Sequence, residues 1–223
     1  MCALTRKSIH LDPGNTRGEL KNIFFYFYSG GDLWYNHCAM KNEMIVLMGG
    51  PGAGKGTFAH LLRERCEFNY VETGAMLRAM PATSEIGRMI ARGDLIPDNI
   101  LYGLITGKIV SGRDVLLDGF PRTLAQAQWL VATYADVFNI RIIYLNVPLD
   151  IIRHRLEKRL NTGSTRADDT DATVVEHRIA TFMNTTMPAI DWLRTAPGIH
   201  FSDVDVSAET ADENFVNILA ALD

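Results

Sequence analysis

The stretch Gly49-Gly-Pro-Gly-Ala-Gly-Lys-Gly-Thr57 constrains this chain more than any other feature. It lies between an unbroken apolar run, Met44-Ile-Val-Leu-Met48, and a segment of helical character that begins at Lys55. An apolar run of that length, ended by glycines, indicates a strand covered on both faces, as in a parallel sheet. Glycines let the backbone wrap closely around an anion with its N–H groups turned inward. The helix that follows adds its positive end, and Lys55 adds a mobile point charge for terminal phosphates. The usual phosphate-loop pattern places Ser or Thr directly after the lysine; here Gly56 stands there and Thr57 follows one residue later. A glycine-rich turn without a ligand gives no reason for the lysine and threonine. Taken alone, the loop indicates a nucleotide phosphate and leaves kinase, ATPase and switch protein open.

Further apolar strands are expected over residues 114–117, 141–147 and 199–204. Helices are expected over 55–67, 124–137, 149–160, 174–193 and 209–222. Strand–helix alternation of this kind implies an α/β fold with a mostly parallel central sheet and helices on both faces. A chain of 223 residues suits one such domain. The net charge of −4 leaves no electrostatic footprint for nucleic acid. No apolar run approaches the roughly 20 residues needed to cross a bilayer, so no membrane partner is expected. Cys2, Cys38 and Cys66 fit neither a disulfide framework nor a zinc site, and a cytoplasmic location follows as the simplest expectation. Residues 1–43 differ from the rest, with Phe24, Phe25, Tyr26, Phe27, Tyr28, Trp34 and Tyr35 crowded among glycines. Either they form a loosely ordered extension with at most a short strand near 23–28, or translation begins at Met40 or Met44. Asp12, Glu19 and Asp32 argue against a targeting segment.

The form GGPGAGKGT resembles the loop of adenylate kinases and UMP/CMP kinases, and later segments match in order across nearly all of 44–223. Thr73-Gly-Ala-Met-Leu-Arg78 is similar to the family's T-G-D-M-L-R. Asp118-Gly-Phe-Pro-Arg-Thr123 with Gln126 is similar to D-G-F-P-R-T-x-x-Q. Arg155, Arg159, Arg166-Ala-Asp-Asp169 and Arg178 resemble the family's arginine-rich lid region. The resemblance implies a three-layer P-loop NTPase fold over 44–223. A small helical cover for the nucleoside monophosphate would span about 73–102 and a short lid about 159–169. It further implies a monomeric kinase that moves the γ-phosphate of Mg-ATP to AMP, giving two ADP. In that reading Gly52, Ala53, Gly54, Lys55, Gly56, Thr57, Arg155 and Arg159 bind ATP. Thr73, Gly74, Arg78, Ile96, Gly119, Arg122, Gln126, Arg166 and Arg178 bind AMP. Lys55, Arg122, Arg159, Arg166 and Arg178 act in catalysis, and Asp118 holds Mg²⁺ through water.

The residue chemistry is consistent with those roles. Phosphoryl transfer through a loose transition state needs several cations converging from separate segments, and guanidinium suits phosphate because it is planar and bidentate. For Arg155 the alternative is a surface ion pair with Glu157 or Glu176. For Asp168 and Asp169 it is capping of a helix beginning near Asp171. A glutamine amide matches the donor and acceptor edge of adenine, so Thr73 and Gln126 favour AMP; UMP or CMP as acceptor, or a plain ATPase module, are the competing readings. Four departures from the family pattern stand out. Ala75 replaces the Asp usual after T-G, and the stretch from Arg78 to Asp98 is about one helical turn short. The lid between Arg159 and Arg166 leaves no room for a zinc-binding insert. Phe58 stands where Gln is usual, and packs either on the first helix or on the adenine of ATP.

Overall fold

The computed structural model describes residues 5–7, 25–27, 33–34, 42–92, 94–161 and 172–222. Three short strands, Thr5–Lys7, Phe25–Phe27 and Leu33–Trp34, pair antiparallel in chain order. The second of them falls inside the stretch expected to hold a short strand.

The main sheet has five strands: β1 (Asn42–Gly49), β2 (Asn69–Glu72), β3 (Val115–Asp118), β4 (Phe138–Asn146) and β5 (Ile199–Asp205). Their order is β2-β3-β1-β4-β5, and every pairing is parallel. Around them run α1 (Lys55–Arg65), α2 (Thr73–Arg78), α3 (Glu85–Arg92), α4 (Asp98–Thr106) and α5 (Leu124–Tyr134). Then come α6 (Leu149–Asn161), α7 (Ala172–Thr181), α8 (Met187–Leu193) and α9 (Ala211–Ala220).

Alternation along β1 divides the core into two layers, because successive side chains point to opposite faces. Met44, Val46 and Met48 pack on one side with Ala127 and Leu130 of α5 and Ile190 and Leu193 of α8. Ile45 and Leu47 pack on the other with Phe58, Ala59 and Leu62 of α1, Ile152 of α6 and Phe215 of α9. All these side chains are buried, which is why β1 has no polar face in the sequence.

This division also positions the site. The chain leaves β1 for α1 on one face of the sheet and leaves the adjacent β3 for α5 on the other. Two neighbouring strands whose connections diverge open a crevice at their carboxyl ends, where open α/β sheets take their ligands.

The structure corrects several boundaries. The expected helix 174–193 contains a π-helical turn at Phe182–Thr186 between α7 and α8. Pro188, just inside α8, has no N–H to continue the α-helical ladder, so the wider turn precedes it. Within the expected cover, α3 begins at Glu85, because the Ser84 hydroxyl accepts from the Gly87 N–H and caps it. β2, α2 and α4 lay outside the expected elements. β2 is short and only Val71 in it is buried, so it shows no apolar run, whereas the i, i+4 pair Leu101 and Ile105 of α4 was a legible helical signal. Most of the expected lid, with Arg166, Asp168 and Asp169, lies outside the described residues.

Candidate active site

The phosphate loop owes its shape to glycine at one position above all. Gly54 has φ of +95°, a left-handed conformation, and caps α1; a Cβ there would come within 2.7 Å of the Phe58 ring. Phe58 itself is buried and lies parallel to Phe215 of α9 at 6.5 Å between centroids. Of the two expectations for Phe58 the helical core therefore holds, and it leaves the nucleotide pocket. Lys55 folds back over the loop, where Nζ donates to the carbonyls of Gly49 at 2.6 Å and Gly50 at 2.9 Å. The first turn of α1 carries no acidic side chain, so its positive end keeps its field for an anion.

Facing the loop is a group held by β2, β3 and α2. Asp118, the last residue of β3, is 5% exposed. Thr73 opens α2 and is buried; its Oγ1 donates to the Asp118 carbonyl at 3.2 Å. Gly119 follows with φ of +86°, and a Cβ on it would meet Thr73 Oγ1 at 2.7 Å. The Tyr70 hydroxyl lies 3.2 Å from Glu72 Oε2 and 3.4 Å from Asp118 Oδ2, so one proton is shared between two carboxylates. Burial first, then the charges of Asp118 and Glu72, push the Tyr70 phenol well above its ordinary range and keep it protonated.

The arginines arrive from separate elements. Arg78, at the end of α2, pairs with Glu72 at 2.8 Å. Arg122 Nε donates to the Gly119 carbonyl at 2.8 Å, and Thr186 Oγ1 in the π-helical turn donates to the Arg122 carbonyl at 3.0 Å. Arg159 of α6 and Arg178 of α7 complete the wall. Together these residues line a cavity of about 630 Å³, within the range of roughly 300–1,000 Å³ usual for small-molecule sites.

Of the residues named from sequence, Gly52, Gly54, Lys55, Gly56, Thr57, Thr73, Gly74, Arg78, Ile96, Asp118, Gly119, Arg122, Arg159 and Arg178 line this cavity. Ala53 is buried behind them. Arg155 stands apart: its Nη2 donates to the carbonyls of Val206 and Ala208, at 2.8 and 3.0 Å. Partial burial lowers its pKa. The ion pair with Glu157 or Glu176 considered for it is corrected: Arg155 is held by those two carbonyls, and Glu176 pairs with Arg153 at 2.9 Å. Gln126 is wholly buried, with Oε1 accepting from the Arg122 N–H and Nε2 donating to Asp98. Tyr70, Glu72, Arg63, Phe182 and Thr186 line the cavity without having been expected there. Tyr70 and Glu72 share a strand face two residues apart, immediately before Thr73, and that spacing could have found them. Phe182 and Thr186 reach the cavity through the π-helical turn, for which the only signal was Pro188.

Comparisons with known proteins agree with this geometry. The family model described as adenylate kinase matches residues 47–197. An adenylate kinase of Mesoplasma florum is 31% identical over 213 residues, covering 80% of this chain and 99% of the relative. One from Phocaeicola vulgatus is 33% identical over 193 residues, covering 80% and 97%. A third, from Bacteroides thetaiotaomicron, is 36% identical over 160 residues, covering 67% and 84%. A phosphate loop faced by a second set of cations across one crevice is the architecture for passing a phosphoryl group between two nucleotides, and this chain belongs to the adenylate kinase family.

Proposed function

We propose that the chain carries the γ-phosphoryl group of Mg-ATP to AMP in one in-line step, each nucleotide held by its own side of the cavity. The observation that carries this is the convergence of Lys55, Arg78, Arg122, Arg159 and Arg178 on one cavity from five segments. An ATPase needs one phosphate site; here Arg78 and Arg122 form a second, opposite the loop.

On the donor side, the loop N–H groups of 52–57 and Lys55 take the β- and γ-phosphates. Lys55 exchanges its contacts with the Gly49 and Gly50 carbonyls for phosphate oxygens. Arg159 reaches the same phosphates, and Arg155 holds the segment 206–208 beside which the ATP base lies. On the acceptor side, Arg78 and Arg122 clamp the AMP phosphate; Arg78 gives up Glu72 to do so. Thr73, Gly74, Ile96, Gly119 and Gln126 receive the nucleoside. Arg166 and Arg178 close on the transferring group, where charge spreads over its equatorial oxygens.

The Asp118 carboxylate, with Glu72 joined to it through Tyr70, offers hard oxygen donors suited to a magnesium ion that keeps most of its waters. When bound, that ion neutralises charge on the phosphate oxygens. Among the described residues there is no group of three His, Cys, Asp or Glu able to hold another metal. The cover over about 73–102 and the lid over about 159–169 exclude water from the transfer, within a domain spanning 44–223. The acidic net charge supports the absence of a nucleic-acid partner, the scattered cysteines a cytoplasmic location, and the family resemblance a monomer. No described helix is long and apolar enough to cross a membrane.

ADP formation from Mg-ATP with AMP, UMP, CMP or GMP as acceptor tests this directly. AMP should give the highest kcat/KM, with little ADP in the absence of any acceptor. Equal ADP release with and without acceptor would replace the reading with an ATPase, and a preference for UMP would overturn the acceptor assignment.

A further inference from the structure

The Gln126 amide is held by two neighbours of opposite hydrogen-bonding character. Its Oε1 accepts from the Arg122 backbone N–H at 2.7 Å, and its Nε2 donates to Asp98 Oδ1 at 2.7 Å. A backbone N–H can only donate and a carboxylate can only accept, so the amide has one allowed orientation. Turned over, it would set N–H against N–H on one side and carbonyl oxygen against carboxylate on the other. Gln126 is wholly buried, and water cannot relieve either mismatch. Asp98 is itself fixed. It opens α4 behind Pro97, and Tyr102 lies beside it: burial first, then the Asp98 charge and a hydrogen bond to Asp98, raise the Tyr102 phenol above its ordinary range. Tyr102 in turn stacks on Trp129 with 4.1 Å between ring centroids.

We infer that Asp98 is a positioning residue for base selection: by pinning the Gln126 amide it makes the acceptor site choose 6-aminopurine over 6-oxopurine monophosphates. The inference rests on the reading of Gln126 as the residue that meets the acceptor base. Beyond its two fixed bonds the amide has one N–H and one lone pair. In the pinned orientation these match adenine, whose N1 accepts and whose 6-amino group donates. Hypoxanthine presents the reverse pair, N1–H and O6, and would need the amide turned over. A buried polar pair left mismatched discriminates far more strongly than a change of shape.

Inosine monophosphate isolates this edge, because it differs from AMP only there. In wild type, kcat/KM for AMP should exceed that for inosine monophosphate by at least about a hundredfold. Asp98→Asn keeps the shape, but its own amide can serve either orientation of Gln126. The AMP-to-inosine-monophosphate ratio should then fall by about tenfold, with KM for ATP unchanged. Asp98 also sits in the first turn of α4, but a merely structural role would lower both acceptors together and leave the ratio alone. If Asp98→Asn does not fold, Tyr102→Phe keeps the ring stack and removes the hydroxyl that fixes Asp98; a smaller fall of several-fold is expected. Gln126→Ala separates the two levels. If it collapses the ratio while the Asp98 and Tyr102 variants keep the wild-type value, Gln126 reads the base and Asp98 does not position it. If Gln126→Ala itself keeps the ratio, the base reading fails and this inference falls with it.

Discussion

Replacing Gly119 by alanine tests how the crevice between β1 and β3 is held open. Gly119 has φ of +86°, and a Cβ there would lie 2.7 Å from Thr73 Oγ1 and 3.4 Å from Arg122 Nη2. The left-handed conformation costs an L-residue about 1–2 kcal/mol. The Thr73 hydroxyl must also move, giving up its 3.2 Å bond to the Asp118 carbonyl, a loss of about 1 kcal/mol. Together Gly119→Ala should destabilise the fold by about 2–3 kcal/mol, a fall in Tm of about 5–10 °C for a domain of this size. Thermal and denaturant unfolding measure this. A double-mutant cycle then isolates the clash. Thr73→Ala removes the hydroxyl that the new methyl meets, so Gly119→Ala with Thr73→Ala should cost about 1 kcal/mol less than the two single changes summed. A Gly119→Ala protein within about 0.5 kcal/mol of wild type, or strict additivity in the cycle, would refute this account of the turn.

Two further perturbations probe the cavity walls. Lys55→Met should lower kcat/KM by about a thousandfold, the scale for losing a cation aimed at developing charge. Loss of its contacts to the Gly49 and Gly50 carbonyls should cost the fold about 1–2 kcal/mol. Steady-state kinetics paired with denaturant unfolding separate the two effects, and near-normal turnover would contradict the role given to the loop. Tyr70 concerns pH. Its phenol is raised above its ordinary value of 10.0, so the native state keeps a proton that the unfolded chain releases. That contribution is complete below about pH 10 and declines as pH rises above it. Tyr70→Phe should therefore flatten the loss of stability between about pH 9 and pH 11, read from denaturant midpoints. An unchanged slope would place the alkaline sensitivity elsewhere.

Much of this architecture was legible because single residues carried unambiguous physics. A five-residue apolar strand ending in glycines has few folds open to it, and the loop and its helix followed from that. The cations were legible too: Lys55, Arg78, Arg122, Arg159 and Arg178 all reach the cavity. Less visible was what holds those cations between ligands. Glu72 on Arg78 and the Gly49 and Gly50 carbonyls on Lys55 are local contacts between residues five or six apart, made where the chain turns from strand to helix, and no strand or helix period encodes them. Arg155 and Gln126 show the same limit. Their types suggested ligand contacts but not the partners that hold them, the Val206 and Ala208 carbonyls for Arg155 and Asp98 with the Arg122 N–H for Gln126. β2 escaped notice because only Val71 in it is buried, although it brings Tyr70 and Glu72 to Asp118. The π-helical turn was hidden inside a continuous helical pattern, yet it sets Thr186 on the Arg122 carbonyl.

The central claim is that one crevice holds two nucleotides and passes a phosphoryl group between them. It is tested most directly by supplying ADP alone with magnesium and following products by ³¹P NMR. Two ADP bound on opposite sides of the cavity should yield ATP and AMP in equal amounts, approaching equilibrium without release of inorganic phosphate. Formation of AMP with matching inorganic phosphate, or no reaction of ADP at all, would contradict the account.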